Sequence, residues 1–121
     1  MMKRILIVED TWHNRRMLRD LLTRAGFEII EAVNGEEGVA QAEHHQPDLI
    51  LMDMQLPVVN GYDATRRIKA NPLLHHVPII AVTSYALAGD EAKTREAGCD
   101  GYVAKPFGPR KLLSKVQEFL A

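Results

Sequence analysis

The 121 residues are 46% hydrophobic and carry 15 Lys and Arg against 16 Asp and Glu, a formal net charge of -1. That is enough chain for one domain with a core and too little for a second, and near-neutrality gives no general attraction to nucleic acid or to an anionic membrane. The single cysteine, Cys99, excludes an internal disulfide and a cysteine-rich zinc site and fits a small buried residue.

Ile5-Leu6-Ile7-Val8 is a short, mostly β-branched run and predicts a strand buried on both faces. Asn14 to Ala25 predicts a helix with Met17, Leu18, Leu21 and Leu22 on one stripe, closed by Gly26. Phe27 to Ala32 is a second, less apolar strand, nearer an edge. A helix from Gly35 to Glu43 turns Val39 and Ala42 inward. Leu49 to Met52 is the third strand, and Gly61 to Lys69 a helix with Tyr62, Thr65 and Ile68 on one side. Pro72 and Pro78 bracket a loop before the fourth strand, Ile79 to Val82. The next helix, Leu87 to Ala97, has Gly89 in its first turn and a mostly alanine face, which predicts a weakly packed, mobile element. Gly101 to Ala104 is the fifth strand. Gly108-Pro109 opens the last helix, whose face is Leu112, Leu113, Val116, Phe119 and Leu120.

Short apolar strands alternating with helices predict an α/β fold, a five-stranded parallel sheet with helices on both faces. No apolar stretch is long enough for a membrane span, and the run behind Met1-Met2-Lys3-Arg4 meets Glu9-Asp10 too soon for a signal peptide. The expectation is a soluble cytoplasmic protein with a single domain over residues 3–121.

In open parallel sheets, sites form at the carboxyl ends of strands. Glu9-Asp10 follows the first strand, Asp53 the third, Thr83-Ser84 the fourth and Lys105-Pro106-Phe107 the fifth. Alone, each has an ordinary reading: Asp53 a loop residue, Lys105 a solvated lysine, Thr83 a strand end, Glu9-Asp10 a helix cap. Together they place three carboxylates, a hydroxyl and an ammonium on one rim. Two carboxylates about 4 Å apart repel by roughly 4 kcal/mol at an effective dielectric near 20. Such a cluster raises its own pKa values or recruits a cation, and an all-oxygen set suits Mg²⁺. A carboxylate beside Mg²⁺ with an ammonium opposite can attack a phosphoryl donor. Asp53 is the best nucleophile, because it ends the most apolar strand and enters a loop pinned by Pro57 and Gly61. Glu9 and Asp10 would hold the metal, and Lys105 and Thr83 would meet phosphoryl oxygens.

The stretches ILIVEDTWHN, DLILMDMQLPVVNGYD, PIIAVTSYA and GCDGYVAKPF closely resemble the receiver domain of two-component response regulators, over essentially the whole chain. The resemblance is strongest to single-domain regulators of the DivK type and extends to receivers of hybrid histidine kinases. It implies a flavodoxin-like fold with sheet order 2-1-3-4-5. It implies that Asp53 accepts the phosphoryl group. The metal, Mg²⁺ or Mn²⁺ in its place, is implied to be held by Asp10, Asp53 and the backbone carbonyl of Gln55, with Glu9 acting mainly through water. Thr83 and Tyr102 match the family's switch pair, Lys105 its lysine, and Lys105-Pro106 an expected cis bond. Gln55 and Tyr85 occupy positions that tune dephosphorylation, and a bulky Tyr85 points to slow loss. Glu9 stands where many members have Asp, and Ser84 where many have Ala; neither change disturbs the pocket's chemistry.

The implied activity is phosphorelay signalling, with self-phosphorylation from small donors and autodephosphorylation. The implied donor is a phosphohistidine on a histidine kinase or phosphotransfer protein, docking on Trp12, His13, Arg15, Arg16 and Phe107. The implied output is a protein contact on the face of the fourth helix, fifth strand and fifth helix, with no direct DNA binding and no membrane contact. Alternatives are an interaction module without functional phosphorylation and a receiver cut from a hybrid kinase. An FMN carrier would want a phosphate cradle where VEDTWHN stands, a haloacid-dehalogenase-like phosphatase would want DxDx(T/V) there, and no P-loop motif exists. The pairs His44-His45 and His75-His76 read as solvated histidines away from Asp53.

Overall fold

The computed structural model describes residues 2–84 and 89–120. Strands β1 (Arg4–Val8), β2 (Glu28–Ala32), β3 (Leu49–Asp53), β4 (Ile79–Thr83) and β5 (Gly101–Ala104) alternate with helices α1 (Trp12–Arg24), α2 (Gly35–His45), α3 (Gly61–Ala70), α4 (Asp90–Ala97) and α5 (Pro109–Leu120). The strands form one parallel sheet in the order β2-β1-β3-β4-β5. The expected fold class and order hold, including the edge position of the less apolar β2.

Side chains alternate across each strand. Leu6, Val8, Ile50, Met52, Ile79 and Ala81 face one layer, where they meet Ala42 of α2 and Ala64 and Ile68 of α3. Ile5, Ile7, Leu49, Leu51, Ile80 and Val82 face the other, against Leu18 and Leu22 of α1 and Leu112 and Val116 of α5. The central strands are therefore apolar on both sides, and their polar groups fall at the ends. The chain leaves β1 toward β2 and later β3 on opposite sides, so a crevice opens beyond the carboxyl ends of β1 and β3.

Three element ends differ from expectation. α1 begins at Trp12, with Thr11 as an extended N-cap residue; the polar first turn carries no apolar periodicity to announce it. α2 runs on to His45, so His44 and His45 lie in a helical last turn rather than a loop, and the Arg4 guanidinium bonds the His45 carbonyl at 2.9 Å. α4 starts at Asp90, because Gly89 has φ +91° and serves as its N-cap. The expectations placed on Tyr85 and Leu87 lie outside the described residues. Met17, expected on the buried stripe, is 51% exposed. Cys99 is buried, as expected.

Candidate functional site

The crevice is built by four strands in register. The Glu9 amide bonds the Ala32 carbonyl at 3.0 Å, Met54 N bonds Val82 O at 3.0 Å, and Lys105 N bonds Thr83 O at 2.7 Å. These bonds carry the sheet's order one residue past β1, β3 and β5, so Glu9 and Lys105 stand just beyond their strands while Asp53 and Thr83 end theirs. Glu9 is 2% exposed and Asp53 5%, whereas Asp10 is open to solvent. One carboxylate oxygen from each lies within 4.8 Å of the other two. The Lys105 ammonium reaches in from β5, 2.8 Å from Glu9 Oε1 and 3.4 Å from Asp53 Oδ2. The Lys105–Pro106 peptide is cis.

The loop after β3 is held tightly. The Gln55 amide donates to Asp53 Oδ1 at 2.9 Å, and Val59 N to Pro57 O at 2.8 Å across Val58, whose φ is +69°. That is a γ-turn on a β-branched residue, a strained backbone region. Gly61 then brings α3 against the site. A Cβ there would stand 2.2 Å from the Asp53 carbonyl oxygen and 2.6 Å from Met54 Cα, so only glycine fits.

The charges are unbalanced. Burial pushes the Asp53 carboxyl up to about 6, and the negative charge of Glu9 adds to this against the Gln55 amide and Lys105. Glu9 is also raised by burial, but its bonds to Lys105 and the Thr11 amide outweigh this and hold it below its ordinary value. Burial pulls Lys105 down, yet Glu9 and Asp53 together keep it raised and charged. One ammonium thus faces two buried carboxylates with a third beside them. All donors are oxygens, a set that fits a hard divalent cation.

Thr83 ends β4 buried, and its Oγ1 accepts from Gln55 Nε2 at 3.0 Å; Gln55 Oε1 accepts from Ser84 N at 3.2 Å. Tyr102 lies on β5 half-buried, its hydroxyl donating to Asp90 Oδ2 at 2.9 Å. Trp12 is 63% exposed on the first turn of α1, with the Arg16 guanidinium 5.9 Å from its ring centroid. His13 is exposed. Arg15 turns inward: its guanidinium donates to the Glu9 carbonyl at 2.9 Å and pairs with Glu31 at 3.2 Å. From Glu9 and Lys105 of the crevice an open groove of about 430 Å³ runs on between α1 and the segment after β5, lined further by Asn14, Met17, Leu18, Ser84, Pro106 and Phe107. This explains the exposed Met17.

Sequence reasoning did not find Asp90 with Tyr62, Asp90 with Tyr102, the side chain of Gln55 on Thr83, or the hold of Arg15 on the Glu9 carbonyl. None carries a local signal, since the partners are 28, 12, 28 and 6 residues apart.

Residues 5–117 match the family model for the response regulator receiver domain. The chain belongs to that family. It is 42% identical over 120 residues to the polar-differentiation response regulator DivK of Brucella anthropi, covering 99% of this chain and 98% of that protein. Among solved structures, the receiver domain of sensor histidine kinase PA1611 from Pseudomonas aeruginosa PAO1, with a magnesium ion coordinated in its active site cleft, is 38% identical with a TM-score of 0.93. It covers 99% of this chain and 98% of its own. A putative response regulator from Chloroflexus aurantiacus is 33% identical with a TM-score of 0.95, over 99% and 98% of the two chains. The receiver domain described here is thus a module of two-component signalling.

Proposed function

We propose that this receiver accepts a phosphoryl group on Asp53 from a phosphohistidine, in a reaction that depends on Mg²⁺ or Mn²⁺, and that the product state alters protein contacts. The observation that carries this reading is the pair of contacts from one ammonium, Lys105 Nζ, to Glu9 at 2.8 Å and Asp53 at 3.4 Å, at the rim where Asp10 completes the carboxylate trio. Asp10, Asp53 and the Gln55 carbonyl would hold the cation, with Glu9 behind them. When bound, the cation neutralises the carboxylates and the charge of the incoming phosphoryl oxygens.

The chain's own residues do the rest. The Gln55 amide fixes one oxygen of Asp53, leaving the other to attack phosphorus. The new O–P bond forms as the N–P bond of the donor breaks, and the imidazole leaves with the bonding pair. Lys105 is charged and turns from the carboxylate to a phosphoryl oxygen. Thr83 offers its hydroxyl to another, leaving Gln55, and Tyr102 turns inward behind it. The output face is α4, β5 and α5, and its partner is a protein rather than DNA.

The donor docks on the exposed first turn of α1 and the groove beside it. Trp12, His13 and Arg16 stand at its edge, Arg15 braces the loop beneath, and Phe107 lines it. The reading puts the receiver, residues 3–121, in the cytoplasm; among the described residues no helix is long and apolar enough to cross a membrane.

The test is phosphotransfer with labelled phosphohistidine donors and, separately, with acetyl phosphate, each with Mg²⁺ and with chelator. Wild type should take one phosphoryl group from either donor only with the cation, and Asp53→Asn none. Equal incorporation by Asp53→Asn, or full incorporation in chelator, would overturn it.

A further inference from the structure

The Asp90 carboxylate opens α4 and accepts two tyrosine hydroxyls, one on each oxygen. Tyr62 of α3 donates to Oδ1 at 2.8 Å, and Tyr102 of β5 donates to Oδ2 at 2.9 Å. The Lys93 ammonium, one turn along α4, lies 4.4 Å from the Tyr62 ring centroid. Three elements therefore meet at one anion. α4 buries only Thr94 and Ala97 among its 8 residues, so little apolar packing holds it and its polar ties weigh more. Both tyrosine hydroxyls are pushed up to about 12, by burial first and by the Asp90 carboxylate next. They are donors at any physiological pH.

We infer that Asp90 is a positioning residue for Tyr102: through a carboxylate shared with Tyr62, it holds the Tyr102 ring in the half-buried resting position it has here and so sets how readily the Thr83–Tyr102 pair switches. The inference rests on the proposed role of that pair. A turn of the ring deeper into the fold would take the Tyr102 hydroxyl away from Asp90, so this charge-assisted hydrogen bond would belong to the resting state alone. A contact present in one of two states biases the equilibrium by its own strength. Tyr62 keeps the carboxylate aimed while Tyr102 is bound, and gives it a remaining partner once Tyr102 has left.

Beryllofluoride with Mg²⁺ stands in for the phosphoryl group, and its affinity, read by calorimetry, reports the cost of switching. Asp90→Ala should bind it about fivefold more tightly than wild type, the bias expected from one hydrogen bond of ordinary net strength. Tyr102→Phe, which loses only the hydroxyl, should tighten binding to the same extent. The double variant should gain no more than either single one, and the Tyr102 ring resonances of ligand-free Asp90→Ala should shift toward their bound positions. A merely structural loosening of α4 would make the two changes additive and leave the ring resonances in place. Unchanged or weaker binding by Tyr102→Phe overturns the inference even if Asp90→Ala does not fold, and additive singles overturn it where Asp90→Ala folds. Failure of wild type to bind beryllofluoride would instead remove the phosphoacceptor reading, and this inference with it.

Discussion

Asp53 carries its charge at a cost to the fold. Its carboxyl is raised from 3.8 to about 6, so the folded protein holds the proton more tightly than the unfolded chain does. Stability therefore falls as pH rises from about 4 to about 6, and the penalty, about 1–3 kcal/mol, persists above that. Glu9 works the other way: held below its ordinary value, it adds stability that is lost as pH falls through its folded pKa. Asp53→Asn removes the penalty, so without divalent cation it should melt several degrees above wild type at pH 7.5 and no higher at pH 4. A pH-independent difference in thermal melts would contradict the assignment. Protons also compete with a cation for Asp53, so Mg²⁺ should raise the melting temperature at pH 8 by clearly more than at pH 5. An equal increment at both would remove Asp53 from the ligand set.

At the scale of elements, α3 is positioned by the absence of a side chain. An exposed helical glycine changed to alanine ordinarily gains about 1 kcal/mol. At Gly61 the new Cβ would meet the Asp53 carbonyl at 2.2 Å, and backbone cannot yield as a flexible side chain can. Gly61→Ala should therefore reverse that sign, costing more than about 2 kcal/mol in denaturant unfolding and impairing phosphoryl acceptance. A stabilised, fully active variant would contradict the close approach. The β3 run, Pro57 and Gly61 were legible because apolar continuity and glycine each have one dominant local meaning. The start of α1 was not, because Thr11-Trp12-His13 has neither an apolar stripe nor a side-chain cap bond. Gly89 was misplaced because a glycine near a helix start reads equally as first turn or cap, and only its φ of +91° decides.

Across the whole molecule, the residues at strand ends could be read because parallel sheets put their sites there. The ties among Asp90, Tyr62 and Tyr102, and between Gln55 and Thr83, could not, because they depend on how α3 and α4 sit over the sheet. The exposed Trp12 beside the groove of Met17, Pro106 and Phe107 is where a protein donor and a small donor should part. Trp12→Ala should slow transfer from protein donors about tenfold or more, the loss typical of a buried aromatic anchor, while acetyl phosphate reacts at its former rate. Equal slowing with both would assign Trp12 to the pocket. The central claim is that Asp53 forms the acyl phosphate, and its most direct test is reductive trapping. The protein is phosphorylated with acetyl phosphate and Mg²⁺, reduced with borohydride, which converts an acyl phosphate to an alcohol, and sequenced by mass spectrometry. The account predicts homoserine at position 53 and no other aspartate or glutamate reduced; reduction at Asp10 or Glu9 with residue 53 intact, or a phosphoryl group retained on a hydroxyl, would contradict it.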